Sequence, residues 1–179
     1  MRPTALLSLL VLAVAACGGG RAEPGPAPVP ADLRARAEMR DAQGRALGVM
    51  TLTQTPHGVL ISGDLNGLPS GVHAMHLHDI GRCDPPFTSA GGHFNPTQRV
   101  HGFRVAAGHH AGDLPNFTAP STGSVRVDVF TDRVTVGTGP TSLIDPDGSS
   151  IVIHASPDDY ASDPAGNAGD RIACGVIVR

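Results

Sequence analysis

Lysine is missing from this 179-residue chain, so all 13 of its basic side chains are arginine. Tryptophan is missing as well, and aromatic residues make up only 3% of the sequence. Set beside 23 glycines and 16 prolines, that scarcity argues against a helical bundle and for a loop-rich β protein. No internal repeat is present, and no stretch sustains a helical period of apolar residues. The formal net charge of −3 leaves no basic footprint, which excludes nucleic acid as a partner. The longest apolar run, Ala5 to Ala16, is about 12 residues, well short of the ~20 that a membrane-crossing helix needs. With 40% hydrophobic and 16% charged residues, disorder throughout is excluded. The length suits one domain with its own core and a tail.

What is present begins with an address. Arg2 and the short apolar run read as an export signal, residues 1–16. It ends in Val14-Ala15-Ala16-Cys17, which resembles a bacterial lipobox, with cleavage before Cys17 and a diacylglycerol on its thiol. An ordinary signal peptide with an incidental cysteine is the other reading. Gly18, Gly19 and Gly20, then Pro24, Pro26, Pro28 and Pro30, make residues 17–32 a tether of mixed flexible and extended character. The folded domain is expected over 33–179, lipid-anchored to the cell envelope, periplasmic or outer-membrane associated. Gly18 after the cysteine does not favour inner-membrane retention in a Gram-negative cell. If Cys17 carries lipid, Cys83 and Cys174 remain, and an oxidising compartment favours their disulfide over two free thiols. Closing so long a loop removes ~4–5 kcal/mol of unfolded-state entropy in the simple model.

From Leu33 onward, short alternating runs are separated by turn chemistry. Strands are expected over Arg34–Arg40, Val49–Gln54, Val59–Ile61 with Leu65 following, Val72–His78, Val125–Val129, Ser150–His154 and Ile172–Val178. Between Asp79 and Thr122 the pattern dissolves into Gly, Pro, His and Asn, a length that needs something other than a ladder to order it. The spacing suggests an antiparallel sandwich or flattened barrel.

Nine histidines are the unusual abundance. In Val72-His73-Ala74-Met75-His76-Leu77-His78, period two puts His76 and His78 on one face of a strand. His73 shares parity with Met75 and Leu77 and reads as a hydrogen-bonded structural histidine. His57 reads as solvated in a turn. His93, His101, His110 and Asp113 lie in the unordered stretch and make a closed set of three imidazoles and a carboxylate, suited to Zn²⁺. A structural zinc there would also order the loop. His109 competes with His110 for that place. His154 ends another strand, and with His76 and His78 gives a nitrogen-rich set suited to Cu(II). No methionine is placed as an axial ligand, which argues against a blue-copper carrier.

Together, Ala74-Met75-His76-Leu77-His78, His93-Phe94-Asn95-Pro96, His101, His110-Ala111-Gly112-Asp113, His154 with Asp158, and Gly166 to Gly175 resemble the copper/zinc superoxide dismutases of the exported bacterial kind. The likeness runs from about Arg34 to Arg179. It implies an eight-stranded antiparallel Greek-key β-barrel with long zinc and electrostatic loops, one copper and one zinc per chain, and superoxide as substrate. It also implies copper on His76, His78, His93 and His154, and zinc on His93, His101, His110 and Asp113, with His93 shared by both. Asp158 resembles the aspartate that hydrogen-bonds ligands of both metals, and Arg171 the arginine that guides substrate. The Cys83–Cys174 bridge resembles the family disulfide.

Only 16 residues separate His154 from Arg171, and they include Asp158, Asp159, Asp163 and Asp170 but no lysine. Weakened electrostatic steering is expected, with Arg82, Arg99 and Arg104 as the candidates to replace the lysines. Arg171 could instead pair with Asp170 or Asp159, and Asp158 or Asp159 could cap a turn. Two other functions compete: a non-catalytic copper or zinc carrier, and a zinc hydrolase. Oligomeric state, monomer or dimer, is left open by the sequence.

Overall fold

The computed structural model describes residues 33–179. The signal, the tether and Cys17 lie outside the described residues.

Among the described residues, nine β-segments make up the fold: β1 Arg34–Asp41, β2 Ala46–Thr55, β3 Gly58–Asn66, β4 Gly71–His73, β5 Met75–His78, β6 Phe117–Ala119, β7 Ser124–Thr131, β8 Ser150–His154 and β9 Arg171–Val178. Among the described residues, a 3₁₀ turn at Thr88–Ala90 accounts for the regular helix between β5 and β6. The alternation seen in the sequence becomes alternating burial. In β1, Ala35, Ala37 and Met39 point into the core while Arg34, Arg36, Glu38 and Arg40 face out.

Every strand pairing is antiparallel. Seven strands form one sheet in the order β5-β8-β9-β1-β2-β3-β7, and β4 pairs with β6 apart from it. The non-sequential neighbours β3–β7, β1–β9 and β5–β8 are the crossovers of Greek-key connectivity. At one end of the large sheet β5 continues from β4; at the other, β7 follows β6 across the turn at 120–123. The chain path thereby curls the sheet round toward closure, and a main core that includes Met39, Met50, Leu52, Ile61, Leu77, Leu143, Ile151 and Ile153 fills it. A Leu77→Ala substitution there is expected to cost ~2–5 kcal/mol.

Two expectations change here. The run Val72–His78 is not one strand: it breaks at Ala74, whose N–H donates to Ser156 O instead of a ladder partner. Its halves pair with different neighbours, β4 with β6 and β5 with β8. Counting β4 and β5 as one interrupted strand restores the expected eight. The stretch 79–122 is also less irregular than its composition suggests, because it contains β6 and folds back along β5 through isolated bridges. His78 faces His93, His76 faces Asp113, and Leu77 N–H donates to Gly112 O while Leu77 O accepts from Phe94 N–H.

Strands β5 and β8 are buried at every position. Met75, Leu77, Ile151 and Ile153 face the main core. The opposite parity, His76 and His78 beside Val152 and His154, lies under the returning loops. Val152 joins Phe87, Ala90 and Cys174 in a second small core, with Cys83 against it. The Cys83–Cys174 disulfide, spanning a sequence separation of 91, staples that covering loop to β9.

Candidate metal centre

Two clusters of ligand-type side chains lie on this covered face. His76, His78, His93 and His154 form one, and His93, His101, His110 and Asp113 the other; within each, one ligand atom per residue lies within 4.8 Å of all the others. All seven side chains are buried.

The first cluster is built from strand ends. His76 and His78 share a face of β5, and the irregularity between Ile153 and His154 sets His154 opposite Arg171 of β9. In each ring one nitrogen is committed to the protein. His76 Nε2 donates to Asp158 Oδ2 at 2.8 Å, His78 Nδ1 to Gly91 O at 3.1 Å and His154 Nδ1 to Gly169 O at 3.2 Å. The other nitrogens, His76 Nδ1, His78 Nε2 and His154 Nε2, are buried without a partner, and so is His93 Nε2. Four convergent imidazole lone pairs deprived of water and protein partners are costly unless a cation takes them. This donor set fits copper.

Burial disfavours protonation of His78, His93 and His154, and repulsion from neighbouring imidazoles adds to it. His154 is pushed down to about 3. His93 is pushed down to about 4 by burial, although Asp113 partly opposes the shift. His78 lies well below its ordinary value, from burial and then the charge of His93.

Loops carry the second cluster. Asp113 Oδ1 gathers three imidazole nitrogens: His93 Nδ1 at 2.8 Å, His101 Nδ1 at 3.0 Å and His110 Nδ1 at 3.3 Å. Its Oδ2 accepts the N–H groups of Gly102 and His110, each at 3.0 Å. Burial alone would raise the Asp113 carboxyl, but the hydrogen bonds from His101, His110 and His93 hold it far below the usual carboxylate range. The set is compact enough for a tetrahedral zinc, whose bonds of about 2.0–2.1 Å put ligand atoms a little over 3 Å apart. His93 belongs to both clusters, with Nε2 facing the first and Nδ1 the second.

Asp158 joins the clusters from behind: Oδ2 takes His76, and Oδ1 takes His101 Nε2 at 3.0 Å. Burial lowers the His101 pKa, but Asp113 and Asp158 together outweigh it and lift the ring to about 9. The neighbouring Asp159 does the other job that the sequence left open. It caps the turn, accepting from Ala161 N–H, Ser162 N–H and Asn167.

Arg171 is half-buried and forms no ion pair with Asp170 or Asp159 among the described residues. Its guanidinium donates to Phe87 O at 2.6 Å and Gly91 O at 2.7 Å, both in the disulfide-stapled loop. Gly91 O thus serves His78 and Arg171 together. The residue has φ +75°, and a Cβ there would lie 2.0 Å from Asp79 Oδ1, so glycine is required. Arg171 also stands in the wall of an open cleft of about 690 Å³ with Leu68, Thr88 and Ile172.

Residues 46–177 match the family described as copper/zinc superoxide dismutase (SODC). The chain belongs to this family. It is 49% identical over 149 residues to superoxide dismutase [Cu-Zn] 2 of Aquifex aeolicus, covering 82% of this chain and 87% of that one. Among solved structures, a SOD-like protein from Bacillus subtilis superposes with a TM-score of 0.76 at 35% identity, covering 80% of this chain and 97% of that one. The Cu/Zn superoxide dismutase from Brucella abortus superposes with a TM-score of 0.68 at 26% identity, covering 80% and 98%. Copper and zinc are the metals of this family, and the two clusters suit them.

The remaining sequence candidates sit outside the clusters. His109 turns its Nδ1 to His110 O and packs on Phe103, leaving the zinc-type set to His110. His73 lies between the carbonyls of His154 and Pro69, at 2.8 and 2.9 Å, and His57 is exposed. Arg82 pairs with Asp84, while Arg99 and Arg104 reach the loop carbonyls of Ala107 and Asp159. Sequence reasoning missed Gly91 and Gly169, which contribute carbonyls, and Asn116, Tyr160 and Asp163, which hold the loops together. Asp163 Oδ1 accepts His101 N–H at 2.8 Å. Only the dense Gly, Asn and Asp content of these loops hinted at such backbone work.

Proposed function

We propose that this chain dismutates superoxide, converting two superoxide anions and two protons to dioxygen and hydrogen peroxide, with His93 as the ring shared by copper and zinc. When bound, copper supplies one-electron oxidation and reduction in alternation, and zinc supplies fixed charge and geometry. His76, His78, His93 and His154 would hold the copper; His93, His101, His110 and Asp113 would hold the zinc. The observation that carries this reading is the set of four buried, partnerless imidazole nitrogens, one of them on a ring whose other nitrogen faces Asp113.

The chain's own residues account for the rest. His93 Nε2 is the proton store, since a proton placed there has no protein acceptor and passes to the reduced substrate. Its Nδ1 meanwhile stays directed into the second cluster. Asp158 fixes the tautomers of His76 and His101. Arg171 cannot deprotonate at working pH and is fixed by two carbonyls, so it presents a permanent cation to an anionic substrate.

Loading the purified chain with both metals and following superoxide decay by stopped flow tests the reading. Copper-dependent decay with one copper and one zinc per chain is the expected result. Tight binding of both without turnover would make the protein a carrier, and uptake of zinc without copper and without superoxide decay would point to a hydrolase-type centre.

The protein acts outside the cytoplasm, periplasmic or outer-membrane associated, anchored to the cell envelope through diacylglycerol on Cys17 with residues 17–32 as tether. The lipobox-like Val14-Ala15-Ala16-Cys17 supports this. Mass spectrometry of the mature N-terminus should find the lipid on Cys17; cleavage elsewhere overturns the assignment.

A further inference from the structure

Tyr160 is the only tyrosine in the chain, and it stands where a tyrosine is conformationally unwelcome. Its φ is +64°, in the left-handed region that residues with a bulky side chain seldom occupy. What that backbone achieves is specific: Tyr160 N–H points at Asp158 Oδ1, 2.6 Å away. A glycine could do as much. The phenol explains why glycine is not there. Its oxygen accepts the backbone N–H of Asn116 at 2.8 Å. The Asn116 side chain in turn grips the Asp158 backbone from both sides, accepting from its N–H and donating to its carbonyl, each at 2.9 Å.

Asp158, Tyr160 and Asn116 therefore form a closed ring of hydrogen bonds around one carboxylate. The ring is braced against the loop that carries His101. Tyr160 O accepts Arg104 N–H at 2.9 Å, the Arg104 guanidinium lies over the phenol ring at 5.7 Å, and Phe103 packs on it at 5.4 Å between centroids. At Gly102 the two backbones meet so closely that a Cβ would lie 2.2 Å from Tyr160 O. Two separate segments, at Asn116 and at 102–104, thus converge on Tyr160, whose backbone N–H holds the carboxylate shared by His76 and His101.

We propose that Tyr160 is a positioning residue: through Asn116 it fixes the Asp158 carboxylate between His76 and His101, and so couples the copper and zinc affinities of the two clusters. This rests on the metal assignments proposed above. Removing a carboxylate behind metal ligands typically costs 10–100-fold in affinity. Loosening that carboxylate should cost less, about 3–10-fold, and in both metals at once.

The test is Tyr160→Phe, which keeps the ring and removes the oxygen. Copper and zinc affinities are measured by chelator competition, together with the Cu(II) EPR spectrum and the visible spectrum of Co(II) in the zinc position. The expected result is a parallel loss of about 3–10-fold in both affinities with altered spectra. In an Asp158→Asn background the same change should then have no further effect. Asn116→Ala, which opens the ring on its other side, should match it and decides the matter by the same criteria if the first variant fails to fold. Wild-type affinities and spectra in the variant overturn the proposal, even if the metal-free protein unfolds more easily. So does an undiminished loss in the Asp158→Asn background. A wild-type chain that takes up neither metal overturns the metal assignments, and this inference with them.

Discussion

The two halves of the metal centre are held by different physics. His76, His78 and His154 project from strands whose ladders and core contacts fix the backbone independently of any ion. His101, His110 and Asp113 sit on loops, linked by hydrogen bonds that converge on one carboxylate oxygen. One half is a rigid rack of imidazoles. The other is a charge cluster that holds itself together. His93 belongs to both, so its ring joins a cluster preformed on strands to a cluster that its own side chains hold together.

Removing that ring should have the largest effect. For His93→Ala, metal analysis and superoxide decay should show loss of the paired site and a fall in turnover of at least ~100-fold, beyond what changing a group behind the ligands costs. Asp113→Asn separates the halves. Zinc affinity is expected to fall about 100-fold, with copper retained far better. Hydrogen exchange of the metal-free variant should accelerate in residues 93–113 while β5 and β8 stay protected. Uniform acceleration across both regions would end the distinction drawn here.

Above the carboxylate range, about pH 4, acid and base should attack the two halves from opposite sides in metal-free protein; below it Asp113 adds a loss in the loop half. His78, His93 and His154 have folded pKa values below the ordinary histidine value of 6.5, so the unfolded chain binds protons first. Their neutral burial is compatible with folding above about 6.5, and stability falls as pH drops below it. His101 is raised to about 9, so its contribution is complete below 6.5 and is lost as pH climbs through about 9. Urea midpoints measured across pH should therefore fall on both flanks, with His101→Asn flattening the alkaline one. A slope unaffected by that substitution would mean the loop half does not rely on this charge. The smallest effect concerns substrate approach. With no lysine and four aspartates between His154 and Arg171, association should slow by well under ~10-fold between low and physiological salt.

The same contrast explains what the sequence disclosed. Strand-borne features were legible because period two is written locally: β1, β7 and the shared face of His76 and His78 follow from alternation. The break at Ala74 was not, since the pattern runs on across it and the cause, Ser156, lies in a distant loop. Nor was β6, three residues whose identity as a strand comes from pairing with β4. In the loops, the ligand-type side chains announced themselves by chemistry and by family resemblance. Among their supports, Asp158 alone did so, through the resemblance. Gly91 and Gly169 act through carbonyls that any residue possesses, and Asp158 and Asp159 differ in role only because the turn points one inward and the other along the chain.

The double duty of the Gly91 carbonyl gives the centre a built-in gauge. A lone oxygen that accepts both His78 Nδ1–H and the Arg171 guanidinium divides its electron density between them. When an anion draws the guanidinium aside, the imidazole proton inherits the stronger bond, and its NMR resonance should move downfield without any change at the ring itself. Anion binding at Arg171 could then be read from a nucleus already inside the protein, with no label attached to substrate or surface.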